Sequence, residues 1–175
     1  MRTKVFFVLV IIFGIVITGC KQTEEKAEVE DIEEVKIDLI NDEFPEEKKE
    51  VKAVLDSLFM SIQQRETEEL LSYHLYSDKF TEFRDGLPRT GASENEEYER
   101  QLLKNISSFD YNLEDLKINI FDKVAIVTFN ADFRPTIGEN VVQLWRQGTI
   151  VFVKNDDVWR ITHEHFSPIT VEDSK

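Results

Sequence analysis

The chain has one cysteine, Cys20, in 175 residues, and with no partner inside the chain an internal disulfide is excluded. It also lacks a glycine-rich phosphate loop, internal repeats and the motif of a catalytic nucleophile, which removes the commonest signatures of nucleotide and acyl-transfer chemistry. Positive charge is scarce. Against 35 Asp and Glu stand 21 Lys and Arg, for a formal net charge of −14. Such a chain repels nucleic acid and anionic lipid head groups, so neither is expected as a partner. An apolar run long enough to span a bilayer comfortably is missing as well.

The longest apolar run is Val5 to Ile17, broken only by Gly14 and preceded by Arg2 and Lys4. A basic head, a short hydrophobic segment and small residues at its end describe a secretory signal. Its last four residues, Ile17-Thr18-Gly19-Cys20, resemble the bacterial lipobox. The resemblance implies cleavage before Cys20, lipidation of that cysteine, and a protein held by its lipid on the cell membrane or outer membrane, facing an extracytoplasmic space. Expected boundaries are therefore a lipoprotein signal peptide over 1–19, an acidic tether over 20–45 and one folded domain over 46–175. The tether is rich in Glu, Asp and Lys, which favours a solvated, self-repelling segment.

What the chain has in quantity is apolar residues, 41% of the total with thirteen phenylalanines, enough for one packed core. After Phe44-Pro45, the positions Val51, Val54, Leu55, Leu58, Phe59 and Ile62 recur at helical spacing. Thr67 can start a short second helix carrying Leu70, Leu71 and Leu75. Turn residues from Asp85 to Gly91 separate it from a third helix, with Ser93 and Glu96 as its capping box and Tyr98, Leu102, Leu103, Ile106 and Phe109 on one face.

Four strand-like runs follow, Leu113 to Phe121, Val124 to Phe133, Val141 to Val153 and Val158 to Ser167. Asp122-Lys123 and Asn155-Asp156 read as two-residue turns, so an antiparallel meander is expected. In that register Phe152, Ile150, Gly148 and Arg146 face Trp159, Ile161, His163 and His165. One largely apolar face results, from Leu116 through Phe129 to Ile161, with Arg146, His163 and His165 as its polar members. The opposite face carries Trp145, Val151 and Phe166 among polar residues.

Two helices, an irregular strand region, a third helix and a meander ending in Trp159-Arg160-Ile161-Thr162-His163-Glu164-His165 resemble the SnoaL-like, nuclear transport factor 2-like superfamily. The resemblance implies an α+β, cone-shaped fold, three N-terminal helices packed on a strongly curved antiparallel sheet. It also implies a pocket at the open end, with the end of the second helix near its mouth. Relatives include cyclases, isomerases, dehydratases and proteins without catalysis.

Three polar heads on an apolar face must be paired, solvated or bound. The cluster Arg146, His163 and His165 reads either as a hydrogen-bonded plug, as a ligand site using the space beside Gly148, or as an acid/base pair. Phe129, Tyr76 and Trp159 complete the expected ligand-binding set, and Asp78 is a further catalytic candidate through the resemblance. Neither a metal nor a cofactor is expected. His163 and His165 could chelate with His74, Asp78 or a helix carboxylate, but the neighbouring Arg146 disfavours a second positive charge. The leading expectation is a lipid-anchored, non-catalytic module that holds a small, partly apolar ligand. The alternatives are a cyclase- or isomerase-type enzyme using His163 and His165, and an envelope interaction protein with an idle pocket. A homodimer through the outer face, anchored by Trp145, is expected alongside.

Overall fold

The computed structural model describes residues 37–170, so the expected signal peptide, Cys20 and most of the tether lie outside the described residues. Helix α1 (Pro45–Gln64) begins on a proline with Glu46 and Glu47 in its first turn, both favourable at a helix N-terminus. Its buried stripe, Val51, Leu55, Leu58, Phe59 and Ile62, is the one expected from spacing. Arg65 stops it in the left-handed conformation, its N–H donating to the Ile62 and Ser61 carbonyls. Helix α2 (Thr67–Ser72) buries Leu70 and Leu71.

Strand β1 (Thr81–Arg84) comes next, then α3 (Ala92–Asn105), capped through the Gly91 N–H donating to the Glu94 carboxylate at 3.2 Å. The expected third helix ran further, through Ile106 and Phe109. Ile106 is instead extended and opens strand β2 (Ile106–Phe121) directly, where a β-branched residue and two serines disfavour helix. The buried residues of α3 are Asn95, Glu99 and Leu103, spaced by four and therefore on one face. Two of the three are polar, a fact that decides the chemistry described below.

The remaining strands are β3 (Val124–Ile137), β4 (Asn140–Val141), β5 (Leu144–Asn155) and β6 (Val158–Pro168). They form a six-stranded sheet in the order β1-β6-β5-β3-β2, with β4 paired to β3. This corrects the expectation of a strongly curved, wholly antiparallel sheet. Strand β1 runs parallel to β6, so the sheet is mixed, and β1 and β2 remain separate edges, so it is open. The chain passes from β1 through α3 and the whole meander before it reaches β6, with no hairpin joining the two, so β1 can pair with β6 in parallel, and among the described residues no pairing between β1 and β2 closes the sheet.

The pairing of β2 with β3 is as expected, with Ile118 and Ile120 opposite Val127 and Ala125, and across β3 and β5 Ala131 lies opposite Arg146, a pair that the sequence places only on a common face. Ala125, Val127, Phe129, Ile150, Phe152, Trp159 and Ile161 are buried on the helix side. Complete burial of each large member of this set contributes about 1.5–3 kcal/mol relative to exposure.

Strand β6 departs from expectation in two steps. Its turn is Asp156-Asp157, both at positive φ (50° and 59°), and Asn155 pairs with Val158. The shift places Ile161 rather than Trp159 opposite Phe152, which preserves side-chain parity. A β-bulge then follows, because Phe152 pairs with Ile161 but Val151 pairs with His163. Thr162 is the extra residue. One extra residue reverses parity, so beyond Ile161 the helix side receives Glu164 and Phe166, while His163 and His165 turn to the other face.

Candidate functional site

Where the bulge turns Glu164 inward, it meets His74 from the end of α2. The His74 imidazole is buried. Its Nδ1 lies 3.1 Å from the Leu70 carbonyl, which can only accept, so Nδ1 donates and the tautomer is fixed. Its Nε2 lies 3.5 Å from Glu164 Oε2, close enough for ion pairing but without a hydrogen bond. Among the described residues it is the buried side-chain polar atom left without a hydrogen-bond partner. Burial opposes protonation of this ring, but the charge of Glu164, with help from Glu99 and the Leu70 carbonyl, raises its pKa above the ordinary histidine value.

Helix α3 supplies the other side. Asn95 is wholly buried, accepts from the Tyr76 hydroxyl at 2.7 Å, and donates through Nδ2 to Glu82 at 3.0 Å and to Glu164 at 3.2 Å. It thereby lies between two carboxylates that would otherwise repel. One turn on, Glu99 is pushed up to about 7, by burial first and by the Glu164 charge second. Burial also works against ionisation of Glu164, but His74, Arg84 and the Asn95 amide hold its pKa below the ordinary value. Strand β1 contributes Glu82 and Arg84 from the same face. Arg84 pairs with Glu82, lies 3.7 Å from Glu99, and stacks its guanidinium over the Tyr98 ring. Thr90 donates to Glu82 at 3.1 Å.

This network borders a cavity of about 130 Å³. Leu58, Phe59 and Ile62 of α1, Leu102 of α3, Phe109 of β2 and Phe133 of β3 form its apolar wall, and His74, Arg84, Glu99 and Glu164 its buried polar floor. At its more exposed side Arg146 of β5 faces Asp85, with Nε 2.8 Å from Oδ1 and Nη2 donating to Oδ2 at 3.2 Å. The fold therefore provides a pocket suited to a small molecule. Among the described residues no three His, Cys, Asp or Glu side chains are arranged to hold a metal ion.

Of the residues singled out from sequence, the structure brings Arg146 to the pocket wall and Tyr76 behind it, stacked on His74. His163 and His165 lie away from it on the outer face beside β1, where His163 Nδ1 is 2.8 Å from Thr81 Oγ1 and both rings contact Phe83 edge-on. The bulge at Thr162 is the reason, and together with the two-residue shift at the Asp156-Asp157 turn it separates His165 from Arg146, whose partner across the strands is Pro168. Phe166, expected on the outer face, lines the pocket. Phe129 and Trp159 are core residues outside the lining: Phe129 fills the space expected beside Gly148, and Trp159 donates to Glu50 at 2.9 Å. Asp78 is exposed in the turn after α2.

Sequence reasoning passed over Glu164, Glu99, Glu82, Arg84 and Asn95. For Asn95 and Glu99 a signal exists, since a polar pair four apart, followed four later by Leu103, marks one helix face. Glu82 and Arg84 alternate on a short strand in the same way. For Glu164 no local signal is present, because its direction is set by the bulge.

No curated protein matches the chain. Solved structures do share its fold. An NTF2-like family protein of Streptomyces avermitilis, provisionally named a dehydratase, superposes with a TM-score of 0.67 at 18% identity, over 73% of this chain and 99% of its own. A nuclear transport factor 2-like superfamily protein of Salmonella enterica gives 0.63 at 18% identity, over 73% and 95%. A Novosphingobium aromaticivorans protein, provisionally named a scytalone dehydratase, gives 0.64 at 12% identity, over 75% and 89%. At these identities the likeness is one of fold alone. The sequence pattern of the SnoaL-like domain, however, matches residues 51–172, from the buried stripe of α1 to beyond the end of β6, and the chain belongs to the SnoaL-like domain family.

Proposed function

We propose that this domain binds a small, partly apolar molecule in the pocket between α1, α3 and the sheet, on a protein anchored by its lipidated Cys20 to an extracytoplasmic membrane face. The observation that carries the binding reading is the cavity itself, about 130 Å³ with a largely apolar wall on which the polar side chains His74, Arg84, Glu99 and Glu164 converge. The anchor reading rests on Arg2, Lys4, the apolar run and Ile17-Thr18-Gly19-Cys20. Under it, residues 20–45 are the tether and the SnoaL-like domain begins near Glu46.

A second reading, catalysis, is favoured by one observation. Glu99, at about 7, changes charge near neutral pH and borders the same cavity as His74, the setting in which a proton can be given or taken. Of the two histidines first considered for this role neither faces the cavity, so an acid/base pair here would be His74 and Glu99. Dehydratase naming among the structural neighbours agrees with such chemistry but belongs to those proteins. A homodimer through the outer face would use Trp145 and Val151, since Phe166 is turned inward.

Toluene, an apolar probe of ring size, tests the binding reading. It should shift the methyl resonances of Leu58, Leu102 and Leu144 and raise the thermal midpoint. A folded protein in which none of these signals moves would overturn the reading. For the anchor, Cys20→Ser should abolish labelling by a radioactive fatty acid, and unchanged labelling would refute it.

A further inference from the structure

The pocket has two polar ends of opposite character. Glu99 and Glu164 line the buried floor and Glu82 lies behind it on Arg84, three carboxylates against Arg84 and His74, and those cations are already paired with carboxylates. The exposed end holds one cation, Arg146, which is only 17% exposed in its side chain and whose carboxylate partner is Asp85 at 36%. Asp85 is held there by its backbone rather than its side chain: its N–H donates to the Phe166 carbonyl at 2.8 Å and its φ is 52°. A guanidinium pairs with carboxylates through parallel N–H donors, and a ligand carboxylate presents the same two oxygens.

Resting on the pocket reading above, we infer that the ligand is a monocarboxylic acid with a small apolar body, its carboxylate replacing Asp85 on Arg146 and its body lying along Phe133, Leu144 and Phe166. Two physical requirements agree on this orientation. An anion driven to the floor would meet buried carboxylates that cannot move aside, whereas at Arg146 it meets a cation whose one carboxylate partner, Asp85, is exposed and can turn to solvent, so repulsion and attraction select the same pose. A cavity near 150 Å³ accommodates benzene, which makes about 130 Å³ suited to a body of one ring or a short branched chain. Asp85 serves as a stand-in for the ligand, keeping Arg146 paired while the pocket is empty and competing with weak anions.

The test is calorimetric titration of the full chain with three probes of one shape: phenylacetate, 2-phenylethanol and 2-phenylethylammonium. Phenylacetate should bind at least about tenfold more tightly than the alcohol, the gain expected from a charge-assisted fork. Arg146→Gln should erase that preference while leaving alcohol binding in place, and Arg146→Lys should restore it only in part. Asp85→Asn, which keeps a residue tolerant of positive φ, should tighten phenylacetate by severalfold. Equal binding of acid and alcohol, tighter binding of the ammonium, or a preference that survives Arg146→Gln would overturn the acid assignment while leaving the pocket reading intact. Failure of all three probes to bind the folded protein would overturn both.

Discussion

The two halves of β6 have similar sequences and opposite fates. Before the bulge, Trp159 and Ile161 go into an apolar core against Phe152 and α1, and their polar neighbours Arg160 and Thr162 are half-exposed. After it, the residues that enter are Glu164 and Phe166, and the histidines that strict alternation would have buried lie outside. The first half obeys hydrophobicity. In the second a charged carboxylate is buried, and this is tolerable because Asn95 donates to it and His74 stands 3.5 Å away. A single extra residue thus divides the sheet into a region whose chemistry is packing and a region whose chemistry is charge.

The contrast predicts which substitutions matter, beginning with the charged region. Glu164→Ala leaves His74 buried without its counter-charge and should destabilise the fold by about 3–5 kcal/mol in chemical denaturation, as expected when one member of a buried pair is removed. A loss under about 1 kcal/mol would mean that Glu164 is solvated and the bulge misplaced. In the packed region Phe129→Ala should be of similar size, about 3–5 kcal/mol, while its outward neighbour Thr128→Ala should change stability far less. Comparable losses at both positions would overturn the face assignment of β3.

Gly148→Ala probes the boundary between them. A Cβ at this position would lie 2.4 Å from the Phe129 ring, so the ring must shift, and about 1–3 kcal/mol of overpacking should follow.

Stability should also depend on pH in a direction set by the floor. Glu99 keeps its proton to about 7 when folded but loses it near 4.5 when unfolded, so between these values the folded state binds more protons and stability falls as pH rises. His74 acts in the same sense, its contribution being present below 6.5 and lost as pH rises through its higher folded value. Glu164, held low, contributes in the opposite sense only in acid. The thermal midpoint should decline from about pH 5 to about pH 8, and Glu99→Gln should flatten that decline. The smallest effect is expected at His165→Ala, within about 0.5 kcal/mol, as for an exposed residue outside the core.

Much of this organisation was legible in the sequence, and the reasons differ by region. The α1 stripe, the short α2, the turn at Asp122-Lys123 and the pairing of Ile118 and Ile120 with Val127 and Ala125 follow from periodicity and turn chemistry, which are local. The parallel addition of β1 to β6 is not local: its four residues gain their place from Glu82 and Arg84 reaching the floor and from Thr81 bonding His163. The bulge at Thr162 is equally invisible, since alternation alone fits His163 and His165 as well as it fits Glu164 and Phe166. Neighbouring segments offer a reason for it. Tyr73 and Leu75 bond Ile161 on the same edge where β1 then bonds the residues beyond, and Thr162 sits at the changeover.

Proton–proton contacts among the aromatic rings, measured by nuclear Overhauser spectroscopy, report the direction of β6 most directly. With the bulge in place the Phe166 ring should show cross-peaks to Phe133 and Phe129, whose centroids lie 6.1 and 6.3 Å away, and the His163 and His165 rings should show theirs to Phe83. Cross-peaks from His163 or His165 to Phe129 or Phe133, with none from Phe166, would contradict it.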